Sequence, residues 1–110
     1  MKKDTLKLNG HIWYNGKMRM TYFEVEGYIK LLNEDYAGGY NDWRLPSLVD
    51  VQPLITPQKA FIETQKKIDY KRIWLNDKYN SDHSWHVDFY SGFCGVSAPS
   101  STHFVCAIRD

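Results

Sequence analysis

The chain has 110 residues, 43% of them hydrophobic and 15% aromatic. That is the length of one domain with enough apolar material for a core, and it excludes a disordered chain. Balanced charge, 14 basic against 13 acidic residues for a net +1, excludes a general attraction for nucleic acid or an anionic membrane, and no apolar run approaches the ~20 residues of a membrane span.

The chain opens MKKDTLKLNG, where Lys2 and Lys3 are followed by no apolar segment, so a signal peptide is not read here. The expectation is a cytoplasmic location for the chain as given, and an extracytoplasmic one for a fragment of a secreted protein. In HIWYNGKMRM (11–20), Asn15-Gly16 separates two short strand-like runs. Asn-Gly tolerates the positive φ of a tight turn, so a β-hairpin is expected there.

Thr21 and Glu24 then stand at capping-box spacing, and Tyr22, Val25, Ile29 and Leu32 repeat on one helical face. Gly27 inside this helix implies close packing on a neighbour. Gly38-Gly39 marks a loop after the helix. The stretch GGYNDWRLPSLVDV (38–51) reads as a structural corner. Pro46 extends Leu45, Trp43 supplies a buried ring, and Arg44 offers a planar fork of donors. Ser47 and Asp50 cap a second helix with Leu48, Val51, Leu54 and Ile55 as its apolar face.

Thr56-Pro57 opens a third, polar helix through about Lys67. Lys59, Lys66, Lys67, Lys71 and Arg72 crowd this region and read as a solvated face. Strands follow. IWL (73–75) is one, and SWHVDFYSGFCGV (84–96) alternates Trp85, Val87 and Phe89 against His86 and Asp88 before turning at Ser91-Gly92. The last, THFVCAIRD (102–110), places Phe104, Cys106 and Ile108 on one face. Helices early and an antiparallel sheet late make an α+β fold.

The order of these pieces resembles the bacterial Lcl C-terminal domain family, a domain family of unknown function. The resemblance is carried by Trp13, MTYFEV (20–25), GGYNDWRLPSLVDVQPL (38–54), IWLN (73–76), HVDFYSG (86–92) and FVCAIRD (104–110). It covers most of the chain, departing at Tyr22, Leu75 and Ala107. It implies a C-type-lectin-like fold, with two or three helices packed on a twisted antiparallel sheet whose N- and C-terminal strands pair. Secreted members of the family are associated with adhesion and sulfated-glycan binding, but function is grafted onto such folds by their loops.

Chemistry is sparse. Calcium binding needs clustered oxygen ligands, and the loop and strand that carry them in lectins of this fold are missing: Gln52-Pro53-Leu54 falls in a helix and WLND (74–77) in the sheet. Cys94 and Cys106 show no CxxC or zinc spacing. In an oxidising compartment they could pair across neighbouring strands, and the preferred reading is two buried thiols. In DHSWHVD (82–88), His83 and His86 point to opposite faces of a strand. No metal, cofactor or catalytic residue is therefore expected.

What remains is a binding surface. The segment NDKYNSDHSW (76–85) reads as a loop and FYSGF (89–93) as a hairpin, and tyrosine with asparagine is the composition of recognition loops. Tyr79, Asn80, His83, His86 and Tyr90 are the candidate ligand-binding residues. The function expected is a non-enzymatic module that recognises a protein or glycan through 76–93. The alternative is a small intracellular protein of the phage-encoded kind that binds and inhibits or adapts a host protein.

Overall fold

The structure, a computed structural model, describes residues 5–68 and 72–110. Its elements run β1 (Thr5–Leu8), β2 (His11–Thr21), α1 (Tyr22–Glu34), α2 (Leu48–Ile55), α3 (Gln58–Ile68), β3 (Arg72–Asn80), β4 (His83–Asp88), β5 (Phe93–Ser97) and β6 (Thr102–Arg109). Among the described residues the strands form one six-stranded sheet in the order β1-β2-β6-β3-β4-β5. The expected pairing of the early and late strands is present, with Trp13 opposite Ile108 and Arg19 opposite Phe104 in antiparallel register.

The sheet is mixed, not antiparallel throughout, because β3 and β6 run side by side in the same direction. The reason lies in residues 98–101. The chain leaves β5 at the outer edge and crosses back over β4 and β3 to reach the middle, where a simple hairpin reversal would have kept it at the edge.

The early hairpin also differs from expectation. Its turn is Asn9-Gly10, with positive φ of 51° and 82°, and it joins β1 to β2. Asn15-Gly16 lies inside β2, where the register with β6 shifts between Asn15 and Arg19. Glycine is needed at 16 for a different reason: a Cβ there would collide with the Val105 carbonyl oxygen.

Helices cover both faces of the sheet. On one, Val51, Leu54 and Ile68 from α2 and α3 bury Trp13, Ile73, Leu75, Val87, Phe89, Cys106 and Ile108. On the other, Val25 of α1 and Leu45 pack on Met20, Trp74 and Val105, and Leu32 and Trp43 on Ala107. Alternate β6 residues thus feed opposite cores, as the twofold period of a strand requires. Trp74 is fully buried and its Nε1 donates to the Met20 carbonyl at 2.8 Å, so its one polar atom is satisfied.

Both expected caps form. The Glu24 carboxylate accepts the Thr21 backbone N–H at 2.9 Å, and Asp50 accepts that of Ser47 at 2.8 Å. Asp77 on β3 adds a third contact, accepting the Leu48 N–H at 2.8 Å and tying the start of α2 to the sheet. Pro57 precedes α3 and accepts the Phe61 N–H at 3.1 Å, so it occupies the cap and not the first turn. Lys59, Lys66 and Lys67 are exposed; Lys71 lies outside the described residues. Gly27 is exposed with open space around it, so the close packing expected there is absent.

The corner at 43–50 is structural, as read. Trp43 is 3% exposed, and its Nε1 donates to the Ala37 carbonyl at 2.9 Å. Asn33 of α1 clamps its backbone, accepting Trp43 N–H at 2.6 Å and donating to its carbonyl at 3.1 Å. Arg44 joins Asp50 at 2.8 Å and Asp110 at 3.1 Å. Burial alone would raise the Asp50 pKa, but hydrogen bonds from Arg44 and Ser47 outweigh it and hold the carboxyl at about 2.

Candidate functional site

The segment 76–85 is not a loop. β3 continues to Asn80 and β4 begins at His83, so the two strands form a hairpin arm whose tip is Ser81-Asp82. The Asn80 side-chain oxygen accepts the Asp82 N–H at 2.8 Å and lies 3.3 Å from His83 Nδ1. That contact closes the tip as an Asx-turn. Tyr79 is 61% exposed and meets Trp85 edge-on, their rings 6.1 Å apart. Tyr79, Asn80 and His83 are therefore brought together at the tip.

Tyr90 is not with them. It follows β4 at its other end, roughly 20 Å away at 3.3 Å per residue. The Asp88 carboxylate shapes that turn, accepting Tyr90 N–H at 2.8 Å and pairing with Arg72 at 3.1 Å. Burial raises Asp88, yet these bonds outweigh it and keep its pKa below the usual carboxylate value. Gln65 of α3 donates to the Phe89 carbonyl at 2.9 Å and steadies the same turn.

His86 belongs to neither group. It faces the α1 side of the sheet, beneath the 98–101 crossover, where Ser97 Oγ lies 2.8 Å from His86 Nδ1 and 2.9 Å from His103 Nε2. The hydroxyl has one proton, so it donates to one ring and accepts from the other. Burial, then the neighbouring His86 and Arg72, pushes the His103 pKa down to about 4. Burial also lowers His86. Both rings are neutral at pH 7, and neither is hydrogen-bonded to a carboxylate among the described residues. The trio is built as a part-buried polar tie, with only His103 buried, and without the base-orienting acid of a nucleophilic triad.

His103 and Ser97 were not anticipated as partners, since six residues and a crossover separate them. Among the described residues, no three His, Cys, Asp or Glu side chains converge on a metal-sized site. Cys94 and Cys106 are not joined in a disulfide, and of the two only Cys106 is buried, Cys94 being half-buried. They stand on β5 and β6, three strand spacings apart in the sheet, or about 14 Å, well beyond the span of a disulfide.

The concavity beside the arm is the best-formed site. A groove of about 600 Å³ runs between the first half of α1 and the β3–β4 arm. Tyr22, Val25, Ile29 and Leu45 give it an apolar floor, while Glu26, Arg44, Asn76, Lys78, Asn80 and Ser81 give a polar rim. Phe23 stands at the margin, 74% exposed. Of the expected residues only Asn80 lines it. The α1 contribution was missed, although Phe23 lay off the apolar stripe of its helix, and an exposed phenylalanine beside that stripe was the one available signal.

Among the described residues, no helix is long and apolar enough to cross a membrane. No curated protein matches the chain closely enough to be counted a relative. The family model for the Lcl C-terminal domain matches residues 4–109, a span that takes in the corner, the arm and the paired terminal strands. The chain belongs to the Lcl C-terminal domain family.

Proposed function

We propose that this chain is a non-enzymatic binding module with a C-type-lectin-like arrangement, and that its ligand lies along the β3–β4 arm in the groove beside α1. The paired β2 and β6 strands and the protruding arm support the arrangement. The groove carries the functional reading: an apolar floor ringed by amide, hydroxyl and three charged side chains of both signs is the usual make-up of a small binding site. Glu26 offsets Lys78, and Arg44, the third charged residue of the lining, is already paired with Asp50 and Asp110, so the groove suits a neutral, partly apolar group. An apolar side chain of a protein or the face of an uncharged sugar meets that description.

The test is binding to glycan and peptide arrays at low and high salt, followed by the variants Phe23→Ala and Asn80→Ala. Both should weaken the captured ligand about tenfold or more, and Phe23→Ala should do so with the melting temperature unchanged. Binding should change little with salt, because Glu26 offsets Lys78 and the Arg44 charge is held by Asp50 and Asp110. Steep salt dependence, or full binding by both variants, refutes the assignment of the groove.

A further inference from the structure

The two edges of the sheet are not alike. β1 closes one side and carries the exposed Lys7, a charge of the kind that discourages edge-to-edge pairing. β5 closes the other with Phe93-Cys94-Gly95-Val96-Ser97, which has no charge and no proline. Its inner side pairs with β4 from Asp88–Phe93 to Ser84–Ser97, and no described strand pairs with its outer side. Beside it stand Phe93 at 75% exposure, Tyr90 at 71% and Val96 at 37%. An open backbone edge flanked by aromatic surface is what a further strand would use.

We infer that β5 pairs antiparallel with β5 of a second copy of this chain about a twofold axis at Gly95, continuing the sheet across the dimer. The strand is self-complementary in that register. Phe93 meets the partner's Ser97, Cys94 meets the partner's Val96, and Gly95 meets itself. With no charge along the edge, apposing it to its own copy brings no like charges together. Gly95 has no side chain to obstruct the axis. Its side is already taken up by His86, whose ring would lie 3.2 Å from a Cβ at that position. The opposite edge is excluded from the same role by Lys7, and pairing β5 with β1 would give an open filament instead of a closed dimer. Five residues of pairing make a small interface, so the association is concentration-dependent.

Sedimentation of the whole chain from about 1 to about 500 μM, the range suited to small interfaces, should move the mass from monomer toward dimer. Val96→Lys should stay monomeric throughout with an unchanged melting temperature, since Val96 is on the outer strand and partly exposed. Val96→Cys supplies the register test. Directly opposed residues have Cα atoms about 4.5–5.5 Å apart, within disulfide range, so oxidation should link the introduced thiol to Cys94 of the partner and yield a covalent dimer. The unsubstituted chain should give none, because its two Cys94 residues are offset from one another. A monomer at every concentration, self-association undiminished in Val96→Lys, or no covalent dimer from Val96→Cys overturns the inference.

Discussion

Acidification tests the histidine tie beneath the crossover. His103 is 6% exposed and its pKa falls from 6.5 to about 4 in the folded chain. The folded state therefore refuses a proton that the unfolded chain accepts. Stability is complete above pH 6.5 and declines as the pH falls from there toward 4, where the native ring finally titrates. At 1.36 kcal/mol per unit, that gap corresponds to roughly 3 kcal/mol. His86 is shifted the same way and adds to the loss. The charged neighbours are Arg72 and Arg19, which oppose protonation, and Asp88, which favours it less strongly. Asp50 contributes in a separate window, because its carboxyl at about 2 gives up stability only below 3.8. Urea unfolding followed by tryptophan fluorescence between pH 7.5 and 4.5 isolates the histidines. With a urea m-value of about 1–3 kcal/mol/M, the midpoint should drop by about 1–3 M. His103→Gln keeps a neutral group near Ser97 and should remove most of the dependence. A flat midpoint over this range, or an unchanged slope in His103→Gln, refutes the argument.

Two further outcomes follow from the scaffold. Trp43→Ala removes a ring packed edge-on against Tyr14 and Tyr40 at 5.6 and 5.9 Å and should cost about 3–5 kcal/mol in denaturant unfolding; an unchanged stability would show that the corner is not structural. Gly27→Ala should stabilise by about 0.5–1 kcal/mol, because the site is exposed, helical and open, and a lower melting temperature in that variant would contradict the packing described for α1.

What was legible in the sequence was local chemistry. The starts of α1 and α2 could be read from Thr21–Glu24 and Ser47–Asp50 because a cap is a contact between residues three apart. The β4–β5 turn could be read because Gly92 supplies its positive φ, 80° here. The first hairpin was misplaced because Asn-Gly occurs twice within eight residues, and only the approach of Val105 to Gly16 distinguishes a bulge from a turn. Residues 76–80 looked like a loop because the arm projects into solvent. Asn76, Lys78, Tyr79 and Asn80 are exposed, so no buried face imposes the alternation that reveals a strand.

The site was harder to see, because polarity was taken for exposure. Ser84, His86 and Asp88 alternate with Trp85, Val87 and Phe89, a pattern that ordinarily marks one wet face. Here the wet face is roofed by α1 and the crossover, and Ser84 is only 2% exposed. Histidines tolerate that roof when their nitrogens find partners, and one serine hydroxyl serves both rings. The contrary signal was present two strands away. Val105, Cys106, Ala107 and Ile108 form a continuous apolar run, each at most 1% exposed, and such a run belongs to a strand covered on both faces. A sheet whose central strand is covered on both sides shelters the neighbouring strands as well. Under the proposed function, the ligand contacts are those that project beyond the cover, on the β3–β4 arm and the exposed flank of α1.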